Sequence, residues 1–80
     1  MSDALNDSIE TLNELVEDST VPKNVKMKLN AIITILKDHV EPSIKVNKAL
    51  HSLEEVAEDS NIQAYTRTQL WNIFSMLERV

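Results

Sequence analysis

Eighty residues carry a formal charge of -5, with 8 Lys+Arg against 13 Asp+Glu, one tryptophan, no cysteine and no glycine. One domain is all that this length supports, and a glycine-free, cysteine-free chain excludes phosphate-cradling loops, disulfides, thiolate metal sites and cysteine nucleophiles. The first ten residues are acidic and polar, unlike a secretory leader, and the longest near-apolar run, 31–36, is far too short for a bilayer, so the expected compartment is cytoplasmic.

Apolar spacing predicts four helices. Leu5, Ile9, Leu12, Leu15 and Val16 form one stripe of a 3.6-residue period. Ser19 and Thr20 break it, and Pro22 follows as a helix-starting proline. Val25, Leu29, Ile32, Ile33, Leu36 and Val40 make the second stripe, which Glu41-Pro42 ends because the residue before a proline is driven out of the α region. Val46, Ala49, Leu50, Leu53, Val56 and Ala57 make the third. Ser60-Asn61 offers the next cap, ahead of Leu70, Ile73, Phe74 and Leu77. The predicted spans are roughly 3–18, 22–39, 43–58 and 63–79.

A shift of 41 positions lays one half of the chain on the other. Glu17-Asp18-Ser19 falls on Glu58-Asp59-Ser60, Leu12 on Leu53, Val21 on Ile62, Lys26 on Arg67, Leu29 on Leu70, Ile32 on Ile73 and Leu36 on Leu77. Amphipathicity alone would align the apolar positions but not the Glu-Asp-Ser corner, so the sequence reads as a duplicated αα-hairpin, residues 1–40 and 42–80. Charge follows the same plan. Residues 1–20 hold six acids and no base, whereas residues 21–40 hold four lysines and one acid. An acidic helix therefore leads each hairpin, which disfavours placing the two acidic helices side by side.

Candidate chemistry is sparse. His51 is expected to face solvent, with Glu54 and Glu55 at i+3 and i+4, a spacing that suits either a surface charge pair or a shared metal ion. His39 is expected in the last turn of the second helix, in a capping or surface role. Neither the His-Glu-x-x-His motif nor the Glu-x-x-His of di-iron bundles occurs. Asp7, Glu10, Glu14 and Glu17 form a ridge off the core stripe, too hydrated to serve as general acids, which reads as a solvated face or as a docking surface for a basic partner. No serine or threonine has a His/Asp pair to activate it. The expectation is a noncatalytic protein without metal or cofactor.

Lys23, Lys26 and Lys28, with Lys45 and Lys48, gather positive charge, yet the overall charge of -5 disfavours nucleic acid. Apolar side chains off the stripes are more informative: Trp71, Met27, Ile35 and Met76, with Arg67 level with the indole. Trp71 falls on Asn30 in the 41-residue register, which suggests a position at the edge of the core. Two readings stand: the indole folds over the core rim beneath the Arg67 guanidinium as a cation–π pair, or these residues form a contact patch, since Trp, Met and Arg anchor interfaces.

The corner Glu17-Asp18-Ser19-Thr20-Val21-Pro22 and the run Thr66-Arg67-Thr68-Gln69-Leu70-Trp71-Asn72-Ile73, over essentially the whole chain, resemble uncharacterised protein family 0147, a group of small archaeal proteins. The resemblance implies a compact bundle of four helices in the archaeal cytosol and carries no activity, substrate, cofactor or site residue. One departure stands out: Gln63 occupies the place where a second proline would match Pro22. The expected fold is thus all-α, a compact four-helix bundle formed from two hairpins. The leading expectation for function is a protein-interaction or structural module whose partner is another protein or a second copy, through Trp71, Arg67, Met27, Ile35 and Met76. A two-unit relative of HEAT-like repeats, a weak nucleic-acid-associated protein and a small metal-binding enzyme are the alternatives.

Overall fold

The stripes become four helices in the computed structural model, which describes residues 3–80. They are α1 (Asp3–Glu17), α2 (Lys23–Lys37), α3 (Pro42–Ala57) and α4 (Ala64–Leu77). Pro22 caps α2 from an extended conformation (φ -59°, ψ 148°), and Gln63 caps α4 in nearly the same one (φ -73°, ψ 157°). Losing the proline therefore does not displace the start of α4. In both places the first helical bond is closed on the cap residue, by the Lys26 N–H on Pro22 and the Arg67 N–H on Gln63, each at 3.0 Å. Pro42 opens α3 at a position where a missing N–H costs nothing.

Two boundaries differ from the sequence expectation. α2 stops at Lys37: Asp38 turns extended (φ -67°, ψ 151°) and its carboxylate accepts the His39 N–H at 2.8 Å, a local bond that replaces the helical one. His39 thus lies past the helix, not in its last turn, and Val40 is exposed in the linker instead of completing the stripe. Nor do Ser60 and Asn61 cap α4. They sit in the preceding turn, where the Asn61 N–H donates to Asp59 Oδ1 at 2.8 Å. The α1–α2 corner is built alike, with the Thr20 N–H on Asp18 Oδ1 at 2.8 Å and the Thr20 hydroxyl on the same oxygen at 2.7 Å. Among the described residues no backbone takes positive φ, so the corners turn without the left-handed conformation that glycine favours.

α1 packs on α2 and α4, and α3 packs on α2 and α4, while the diagonal pairs stay apart. The ring is closed. Stacked HEAT-like hairpins would instead run α1 along α3 and α2 along α4. Closure also places the acidic α1 diagonally across from α3, whose own span balances Lys45 and Lys48 against Glu54 and Glu55. The resulting body measures 33 × 20 × 19 Å.

The core is aliphatic. Leu12, Leu15, Val25, Leu29, Ile32, Leu36, Leu53, Val56, Leu70, Ile73 and Leu77 are fully enclosed, with Val21 and Ile62 sealing the two corners. Burying each such side chain is worth about 1.5–3 kcal/mol, and this is what holds the helices together. Every one of these residues has a buried residue 41 positions away. Two polar residues join them among the described residues: Ser8, whose hydroxyl donates to the Ala4 carbonyl at 2.8 Å, and Thr66, whose hydroxyl finds no partner there. Their positions 41 residues away hold Ala49 and Val25, both buried and apolar. No helix among the described residues is long and apolar enough to cross a membrane.

Candidate functional site

The groups that carry chemistry are spread over the surface. His51, Glu54 and Glu55 are exposed on α3, and Asp7, Glu10, Glu14 and Glu17 are exposed along α1. Among the described residues no three of His, Cys, Asp and Glu converge as a metal cage. The corner carboxylate of Asp18 is held below its ordinary value of 3.8, chiefly by the Thr20 hydroxyl and then by the Thr20 N–H, with a smaller pull from Lys26. It is open to water and serves the turn. Between α2 and α3 runs an open groove of about 280 Å³ lined by Lys28, Ala31, Ser52, Glu55 and Val56. Ala31 and Ser52 are too small to fill it, and Lys28 and Glu55 stand on opposite walls.

Arg67 and Trp71 sit one turn apart on α4. The Arg67 Nε donates to the Ala57 carbonyl at 3.0 Å and one terminal nitrogen to the Asp59 carbonyl, also at 3.0 Å. A cation is well placed there, because the last carbonyls of α3 form the negative end of its dipole. The guanidinium is therefore engaged with backbone oxygens. Trp71 meets Phe74 instead, edge to face, with centroids 5.5 Å apart and planes at 68°. Phe74 packs against the core, so the indole is anchored at one edge while 43% of the residue remains in water.

Met27 is 66% exposed on the outer crest of α2, whereas Ile35 and Met76 are half-buried on the flanks of α2 and α4. Since α2 and α4 lie on a diagonal with their backbones apart, the structure does not bring these five residues into one patch. Arg67, Trp71 and Phe74 share the flank of α4 that meets α3, while Met76 lies round on the other flank, about 140° from Trp71 at 100° per residue. Met27 and Ile35 belong to the far side of the ring. Tyr65 and Ile44 are exposed as well, outside the five residues named from the sequence. The available signal was that neither falls on its helix's apolar stripe.

A model of the family described as Uncharacterised protein family (UPF0147) matches residues 1–80. A UPF0147 protein of Methanocaldococcus jannaschii is 41% identical over 70 residues, covering 86% of this chain and 75% of the relative. One from Archaeoglobus fulgidus is 36% identical over 76 residues, covering 95% and 87%, and one from Thermococcus kodakarensis is 33% identical over 82 residues, covering 100% and 99%. No solved structure matches the chain. On its sequence from end to end, this four-helix chain belongs to the uncharacterised protein family UPF0147.

Proposed function

We propose that the protein is a noncatalytic interaction module of the archaeal cytosol, built from two copies of one hairpin, and that Trp71 on α4 is its contact residue. The observation that carries this reading is the placement of the chain's one tryptophan. It is anchored by Phe74 yet 43% exposed, although the aliphatic core is complete without it. The position 41 residues earlier holds the exposed Asn30, so a helix in this environment folds without an aromatic there. A large, rigid, half-desolvated aromatic is the usual anchor of a protein interface. The dispersal of histidines and carboxylates over open surface favours binding over catalysis, because none has the sheltered pocket a general acid or base needs.

Site-specific photo-crosslinking tests this. A photoreactive phenylalanine placed at position 71 should give a discrete protein adduct in native extract, and the same group at the matched position 30 should not. The captured protein should then bind the purified chain and lose that binding on Trp71→Asn. A captured protein indifferent to Trp71→Asn overturns the assignment. So does a large rise in melting temperature on adding a divalent metal that is abolished by His51→Ala, which would favour a metal-dependent enzyme.

A further inference from the structure

We propose that the Trp71 edge takes the Met27 crest of α2 from a second copy of this chain, so that molecules join head to tail. This rests on the reading of Trp71 as a contact residue and names its partner. On the α3–α4 edge, Trp71 has Glu78 seven residues on, about 10 Å further along the same face. Across from it on α3, Glu54 and Glu58 stand one above the other, linked by the Glu58 N–H on the Glu54 carbonyl at 3.2 Å. Arg67 fixes the alignment by reaching Ala57 and Asp59, which places the next turn of α4 beside the Glu54 turn of the antiparallel α3. All three glutamates are exposed.

In the 41-residue register Glu58 keeps its acid as Glu17, while Asn13, Asn30 and Lys37 stand on the α1–α2 edge where the α3–α4 edge has Glu54, Trp71 and Glu78. The six that differ are all exposed, so the fold accepts either set. The α3–α4 edge has thus gained an aromatic surface and negative charge that packing does not ask for. Arg67, one turn away on α4, spends its Nε and one terminal nitrogen on the Ala57 and Asp59 carbonyls.

The same chain carries the complement. Among the described residues Met27 is the most exposed large apolar side chain, and Lys23, Lys26 and Lys28 stand around it, in a helix with four lysines and no acid. A thioether on an aromatic ring is a favourable contact, and lysines would meet Glu54, Glu58 and Glu78. Because α2 and α4 are on a diagonal, one molecule cannot join its own two surfaces. Two molecules can. Each then keeps one free crest and one free edge, so the contact is heterologous and grows into chains or closes as a ring. Lysine–glutamate attraction across an open surface is screened by salt, so association belongs to low ionic strength and high concentration.

Sedimentation of the full chain, with Trp71 emission read in parallel, tests this. At about 20 mM salt and near-millimolar protein, mass should rise with concentration and emission should shift to shorter wavelength, while about 0.5 M salt should return the monomer. Lys23→Glu with Lys28→Glu removes the crest, and Glu54→Lys with Glu78→Lys removes the edge. Each double variant alone should be monomeric, with association weakened at least about tenfold, and their mixture, in which every altered surface meets its charge-reversed partner, should recover association beyond a one-to-one dimer. Matching helical spectra for both variants keep misfolding out of the comparison. A wild-type chain monomeric throughout, or double variants that associate like wild type, overturns the proposal. If a different protein binds at Trp71 while the chain stays monomeric, the inference falls and the interaction module stands.

Discussion

Arg67 Nε lies 3.0 Å from the Ala57 carbonyl oxygen, and through this bond the first turn of α4 caps the C-terminal end of α3. A second bond from the same guanidinium to the Asp59 carbonyl spans the corner. Hydrogen bonds from a charged donor are worth about 1.5–3 kcal/mol each, and half-burial of Arg67 limits solvent competition. Arg67→Ala should therefore destabilise the fold by about 2 kcal/mol, seen as a melting point lower by about 10 °C. An unchanged melting point would mean that water caps these carbonyls as well as the guanidinium does.

Thr66 is a misfit in an apolar core. It is 1% exposed with an unpartnered hydroxyl, whereas Val25, at the matched position, is 0% exposed and offers only methyl groups. Removing a buried, unsatisfied hydroxyl while keeping the side-chain shape relieves a desolvation penalty of about 1–3 kcal/mol. Thr66→Val should raise the urea midpoint by an amount equal to about 1 kcal/mol. A loss of stability would show that the hydroxyl has a bonded partner such as an enclosed water.

Much of this was legible in the residues themselves. Helix starts and ends fell within about two residues of expectation, because stripes, Pro22 and Pro42 bound them strongly. His39 and Val40 escaped because Asp38 uses its own carboxylate to end α2 early, a local bond that periodicity does not register. Ser8 and Thr66 escaped because they are polar, although Ala49 and Val25 at the 41-residue spacing marked both as core positions. Stripes alone also do not say which helices meet. The closed ring, which sends Met27 and Trp71 to opposite sides, emerges only from the three-dimensional arrangement.

Leu29 and Leu70 occupy matched positions on α2 and α4 and are both wholly buried. Truncating either to alanine leaves a cavity and costs about 2–5 kcal/mol. If the two hairpins play equivalent parts, Leu29→Ala and Leu70→Ala should destabilise by amounts within about 1 kcal/mol of each other in urea titrations. A large inequality would mean that one hairpin carries the core and the other merely leans on it.

The Asp18 turn makes stability depend on acidity. Its carboxylate is held below the ordinary value of 3.8 by bonds from Thr20, so the unfolded chain takes up a proton at this site before the folded one does. The contribution of this group is complete above its unfolded value and fades as pH falls through the lower folded value. Asp18→Asn should flatten that part of the acid-unfolding profile. An identical profile in the variant would show that the turn does not prefer the ionised form.

Because the chain has a single tryptophan, its emission reports on one position without labelling. Acrylamide quenching of Trp71, measured in the isolated monomer and again in its assembled state, addresses the contact assignment most directly. The account predicts ready quenching in the monomer, where the indole is half in water, and marked protection with a blue-shifted spectrum on assembly. Equal quenching in both states would contradict it, because assembly would then leave Trp71 as open as before.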